Sequence, residues 1–116
     1  MHGNRVRYFR TEFFEEVREF LKSIDEKAAD KIIYNLNIAE QTNDPKLFKK
    51  LNNNIWEFRT KYRNLQYRLL AFWDKTDITD TLVLATHGII KKTDKVPQKE
   101  IDKAENIRRN HFKQKK

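Results

Sequence analysis

An α+β fold in the order β-α-α-β-β-β-α, with an antiparallel sheet packed by an N-terminal helical hairpin and followed by a C-terminal helix, is predicted by three features of this sequence. Apolar residues recur at helical spacing between residues 11 and 39, the period changes to two from residue 52 to residue 90, and helical spacing returns after Pro97. The 116 residues suffice for one domain with one core, divided into a strand and helical hairpin (1–44), a sheet (52–92) and a last helix (97–113). Hydrophobic content of 38% and eight Phe, four Tyr and two Trp supply that core despite 36% charged residues.

RVRYF, residues 5 to 9, alternates enough for a short opening strand. Thr11 can cap a first helix: TEFFEEVREFLKSI places Phe13, Phe14, Val17, Phe20, Leu21 and Ile24 on one helical stripe, with Glu12, Glu15, Glu16 and Glu19 in the first turn or on the other face. A second helix runs from Asp25 to Ala39 on the stripe Ala28, Ile32, Ile33, Leu36 and Ala39, and so short a link makes the pair an antiparallel hairpin. QTNDPK closes it, and KLFKKL adds a helical turn. IWEFRTKY (55–62), LQYRLLAFW (65–73) and TLVLATHGII (81–90) then read as consecutive antiparallel strands. Pro97 opens a helix with Ile101, Ala104 and Ile107 inward and Lys99, Lys103, Arg108 and Arg109 outward, and HFKQKK frays. The helices lie over one sheet face.

The charge of +8 is unevenly placed. Residues 1–44 hold seven Lys and Arg against nine Asp and Glu, a balance of −2, whereas residues 45–116 hold 18 against eight, or +10. The C-terminal two thirds thus suit a polyanion, nucleic acid first among them. Cysteine is absent, which excludes disulfides and thiolate chemistry. The N-terminus lacks the apolar stretch of a signal peptide and no run is long enough to span a bilayer, so the expectation is a soluble, cytoplasmic protein with no membrane partner.

Alternation puts Ile55, Glu57, Arg59 and Lys61 on one side of their strand, and Trp56, Phe58 and Thr60 on the other. With the second set against the helices, Glu57, Arg59 and Lys61 face solvent, Arg68 can join Arg59, and Lys91 and Lys92 close the rim at the end of the third strand. Guanidinium forks and ammonium groups so grouped suit a phosphodiester. A charged sheet face with solvated ion pairs fits the same residues. Lys91 and Lys92 alternate, so at most one of them faces the groove squarely.

The series IWEFR, QYRLLAF and LVLATHGIIKKTDKVPQKEIDKA, in this order and spacing, resembles the RelE/ParE superfamily, in particular the HigB-like, phage-derived toxins of type II toxin–antitoxin systems. The family's pattern is an E-hydrophobic-R strand (Glu57, Arg59), a YR strand (Tyr67, Arg68), a strand ending HGF-x-KK, and K-x-P-x-x-EI-x-x-A on a helix; Ile89 stands where Phe is usual. The resemblance covers residues 55–104 and implies a RelE-like fold. It also implies a toxin that cleaves messenger RNA on the ribosome, translation inhibition, and silencing by a cognate helix-turn-helix antitoxin.

Carried over, Arg59, Arg68, Lys91 and Lys92 would bind the scissile phosphate and stabilise the transition state, the neighbouring 2′-hydroxyl would be the nucleophile, and neither metal nor cofactor would be needed. Some members carry lysine near the position of Glu57, which opens the proton-transfer roles. His87 and His111 are the candidates for a general acid or base. His87 alternates with Val83, Ala85 and Ile89, which equally fits a packed histidine. His111 lies on the expected frayed end of the last helix. Lys61, Lys95, Lys99 and Lys103 would bind RNA through its phosphates, without regard to sequence. A gyrase-inhibiting toxin of the ParE type and a non-catalytic RNA-binding or regulatory module are the alternatives.

Overall fold

The computed structural model describes residues 7–91 and 95–115. Its elements are β1 (Arg10–Phe13), α1 (Glu15–Ser23), α2 (Glu26–Gln41), β2 (Phe48–Lys50), β3 (Trp56–Tyr62), β4 (Leu65–Asp74), β5 (Leu82–Lys91) and α3 (Gln98–Gln114). The strands form one sheet in the order β1-β5-β4-β3-β2. It is mixed, not antiparallel: β1 runs parallel to β5, because α1 and α2 carry the chain from that edge of the sheet to the far one.

Two element expectations need correction. Residues 7–9 are not strand, and the opening strand instead takes in Thr11, whose N–H donates to Glu40 Oε2 at 2.9 Å and which is therefore not a helix cap. The stretch KLFKKL yields a strand instead of a helical turn, because Phe48 is buried against Trp56 and Phe58, with ring centroids 4.8 and 4.4 Å apart. The helical hairpin forms as its stripes dictate. Asp25 caps α2 by accepting from the Lys27 N–H at 2.8 Å, and Ala28, Ile32, Leu36 and Ala39 are its buried face.

Helices cover both faces of the sheet. On one, α1 and α2 pack over Phe58, Tyr67, Leu69, Ala71, Val83 and Ala85. On the other, α3 lays Ile101, Ala104, Ile107 and Phe112 over Ile55, Leu70, Phe72 and Leu84. β4 explains this arrangement: it is buried along most of its length on both sides, and leaving Leu70 and Phe72 in water would cost about 1.5–3 kcal/mol each. The expected frayed end is likewise helical through Gln114, with Phe112 packed against the core.

A β-bulge in β5 decides which residues share the α3 face. Ala71 pairs with Ala85 but Leu70 pairs with His87, so Thr86 is the extra residue and the alternation inverts after it. His87, Ile89 and Lys91 therefore lie on the α3 face, opposite to Val83 and Ala85 with which simple alternation groups them. Gly88 falls on the hairpin face, where a Cβ would stand 2.3–2.6 Å from ring atoms of Phe20.

Candidate functional site

Register builds the site in rows across three strands. Lys61, Gln66 and Lys91 form one row, Arg59, Arg68 and Ile89 the next, and Glu57, Leu70 and His87 the third. Directly opposed residues on one face have Cβ atoms about 5 Å apart, so Arg59 and Arg68 are immediate neighbours.

What they face is not only solvent. Because α3 covers the adjoining part of the sheet, Glu57 and Arg68 are each just 3% exposed, where alternation alone had placed Glu57 in water. Glu57 bridges the pair: its Oε1 lies 3.1 Å from Arg68 Nε and its Oε2 lies 3.6 Å from Arg59 Nε. Arg68 also donates to the Tyr67 carbonyl at 3.1 Å and to Gln66 Oε1. One carboxylate between two guanidiniums leaves the trio at +1 and locks Arg68 in place. Arg59 is the member that reaches out, with 29% of its side chain exposed.

Two cavities meet at Arg59. The first, about 430 Å³, is lined by Lys31, Lys46, Arg59, Lys61 and Arg68 and, among the described residues, by no acid. It wraps over the edge of β3 beyond the short β2, where Arg59 N–H donates to the Leu47 carbonyl at 2.9 Å and Lys31 Nζ to the Lys61 carbonyl at 2.9 Å. The second, about 570 Å³, lies between β2 and the start of α3 and is lined by Lys49, Glu57, Arg59 and Lys95 among others. Together they form a cationic cleft with, among the described residues, one carboxylate, Glu57, in its wall. Lys31, Lys46 and Lys49 had no signal of their own in the sequence, being ordinary surface lysines until the fold groups them.

Lys91, Lys99, Lys103, His87 and His111 are not among the residues lining these two cavities. Lys91 is buried in the row of Lys61, and Lys92 lies outside the described residues. Lys99 is exposed on α3, and Lys103 Nζ pairs with Glu16 Oε2 of α1 at 2.7 Å. His87 lines neither cavity. Its Nε2 is 3.0 Å from Glu100 Oε1 and its Nδ1 is 2.9 Å from Thr86 Oγ1. A carboxylate only accepts, so the ring donates from Nε2 to Glu100, while the Thr86 hydroxyl lies between His87 Nδ1 and the Leu70 carbonyl, 3.2 Å from the latter. Burial pushes its pKa below the ordinary value and the Lys103 charge adds to this, against the pull of Glu100. His87 thus ties the first turn of α3 to the sheet.

His111 does the same at the far end. Its Nε2 is 2.8 Å from Asp74 Oδ2, to which Lys115 Nζ also donates at 2.9 Å. Burial alone would raise the Asp74 pKa, but hydrogen bonds from His111, Lys115 and Thr76 outweigh it and hold the carboxyl well below the usual range. Thirteen positions along α3 from Gln98 at the cleft, His111 is roughly 20 Å from that cavity's rim, given a rise of about 1.5 Å per residue. The structure therefore brings Arg59, Arg68, Lys61 and Lys95 to one cleft and keeps both histidines out of it.

Among the described residues no cluster of His, Asp and Glu could hold a metal ion, and no helix is long and apolar enough to cross a membrane. Comparison with known families matches residues 19–109 to the family described as "Phage derived protein Gp49-like (DUF891)". No curated protein and no solved structure matches the chain.

Proposed function

The chain belongs to the Gp49-like phage-derived protein family, and on that premise we propose that it is the toxin of a type II toxin–antitoxin system, a HigB-like, ribosome-dependent messenger RNA endoribonuclease. The toxin-like character of the family supports the first part. The observation that carries the second is the opposed pair Arg59 and Arg68, fixed by Glu57 and opening onto a cleft rimmed with lysine.

In this reading the scissile phosphate sits against Arg59, whose exposed guanidinium contacts a non-bridging oxygen. Arg68 adds fixed positive charge behind it, held so that little reorganisation accompanies the change at phosphorus. Among the described residues Glu57 is the one carboxylate lining the cleft cavities; with an oxygen on each guanidinium it holds the pair, and the proton of the attacking 2′-hydroxyl leaves to water. The 2′-oxygen then bonds to phosphorus, the bond to the 5′-oxygen breaks, and that oxygen takes a proton from water or a cleft ammonium. Lys31, Lys46, Lys49, Lys61 and Lys95 bind flanking phosphates. The cognate helix-turn-helix antitoxin would cover this cleft.

One observation favours a non-catalytic, RNA-binding reading: the charge of Arg68 is already offset by Glu57, and both histidines are engaged in holding α3. Arg59→Ala separates the two. Added to a translating extract, the wild type should cut within coding sequences, and Arg59→Ala should cut at least 100-fold more slowly, the usual effect of losing one transition-state donor. Messages left intact by the wild type would exclude the nuclease; gyrase–DNA breaks in their place would indicate the ParE-type activity.

A further inference from the structure

We infer that the cavity at the opposite end of β3 and β4 is a second nucleotide pocket, which stacks a base of single-stranded RNA on tryptophan and holds the adjoining phosphate on lysine. This cavity, about 370 Å³, is lined by Trp56, Trp73, Lys50, Lys75, Arg108, Asn53 and Asn54, with no acid in its wall among the described residues. The two indoles meet edge to face, with centroids 5.5 Å apart. Phe48 stacks on Trp56 at 4.8 Å and supports it from the core, while both tryptophans stay part exposed. Such large aromatic surface at a cavity wall is what base stacking uses.

The cations fit the same ligand. Lys75 Nζ lies 4.8 Å from the centre of the Trp73 ring, over its face. An incoming base takes that face and its phosphate takes the ammonium, so one nucleotide satisfies both partners at once. Arg108 is positioned by Glu105 at 2.9 Å, and Glu105 also accepts from Asn54 Nδ2 at 2.9 Å, which fixes the loop that closes the pocket. The unpaired edge of β2 joins the two sites: Lys49, opposite Glu57, lines the cleft, and the next residue, Lys50, opposite Trp56, lines the tryptophan pocket. A strand lying in the cleft reaches the second pocket by crossing that edge.

The choice of RNA rests on the nuclease reading; the pocket itself specifies only a stacked base beside a phosphate. The chain has just two tryptophans and both line this pocket, so tryptophan emission responds to a base stacked there. The probes are a short end-labelled oligoadenylate and an abasic oligomer of equal length, followed by label anisotropy and tryptophan emission. Oligoadenylate should quench emission saturably, and the abasic strand should bind about tenfold more weakly without quenching. Lys75→Ala, at an exposed position where folding is not at stake, should weaken oligoadenylate binding about threefold to tenfold. Trp73→Phe should remove part of the quench. Binding by anisotropy with emission unchanged, or equal affinity for both strands, would overturn the pocket and leave the nuclease standing. Quenching by a protein that cuts no message would do the reverse, and no binding at all would overturn the pocket while leaving the nuclease to the extract assay.

Discussion

Glu57 is the residue on which the site's construction turns. Its two oxygens each meet a different guanidinium in a place almost closed to water. Buried charges so arranged need not add stability, but removing one member leaves the others exposed to the full cost of desolvation. Glu57→Gln should therefore destabilise the fold by about 3–5 kcal/mol in urea titrations, whereas the double change Glu57→Leu with Arg68→Met should recover most of the loss. A single variant within about 0.5 kcal/mol of wild type, inside the usual range for surface changes, would mean that Glu57 is not the bridge described. Gly88 is constrained in a simpler way. A methyl group there meets the Phe20 ring at 2.3 Å, so Gly88→Ala should cost about 1–3 kcal/mol by overpacking. Combining it with Phe20→Leu should restore part of that stability, and failure to do so would place the strain elsewhere.

At the scale of elements, α3 is held by a polar clasp at each end, and these clasps give the fold an acid sensitivity with a definite sign. His87 is neutral in the folded protein with its pKa lowered from 6.5, and the charged groups about it are Glu100, Glu16 and Lys103. The unfolded chain binds the proton more readily, so stability falls as pH drops below about 6.5 and levels off below the folded value. Asp74 is also lowered, from 3.8, and its contribution is present above that value and lost as pH falls through the folded one. Unfolding free energies from urea titrations should thus decline from pH 7 to 5 with a slope of at most about 1.4 kcal/mol per unit for one proton, and His87→Gln should flatten that window alone. An unchanged slope in this variant would refute the clasp. The hairpin and the three central strands were legible in sequence because their periods are unbroken. The bulge at Thr86 was not: one inserted residue reverses the alternation, and nothing local marks it. The position of α3 was hidden for a related reason. Leu70 and Phe72 share their side of β4 with Gln66 and Arg68, which reads as a half-solvated face until a helix covers its apolar half.

Across the whole molecule, topology gathers charge that the sequence scatters. Arg59 and Arg68 could be placed together from alternation, since each belongs to a strand whose neighbour is next in sequence. Lys31 and Lys46 could not, because α2 and the turn before β2 reach the cleft only through packing across the sheet edge. Their effect is additive and electrostatic. A single strand held by five such cations should show a slope of about −3.5 for log affinity against log salt, at about 0.7 per phosphate neutralised. Between 50 and 200 mM salt that amounts to a loss of roughly 100-fold. Lys46→Ala, an exposed change, should reduce the slope by about 0.7 while leaving the preference among RNA sequences unaltered, since a phosphate contact carries no base information. Anisotropy titrations across that range measure both quantities. A slope that Lys46→Ala leaves intact would show that RNA does not run through the cleft between α2 and β3, and would confine the polyanion to the α3 side of Arg59, whereas a slope near zero would remove the cleft as an RNA site altogether.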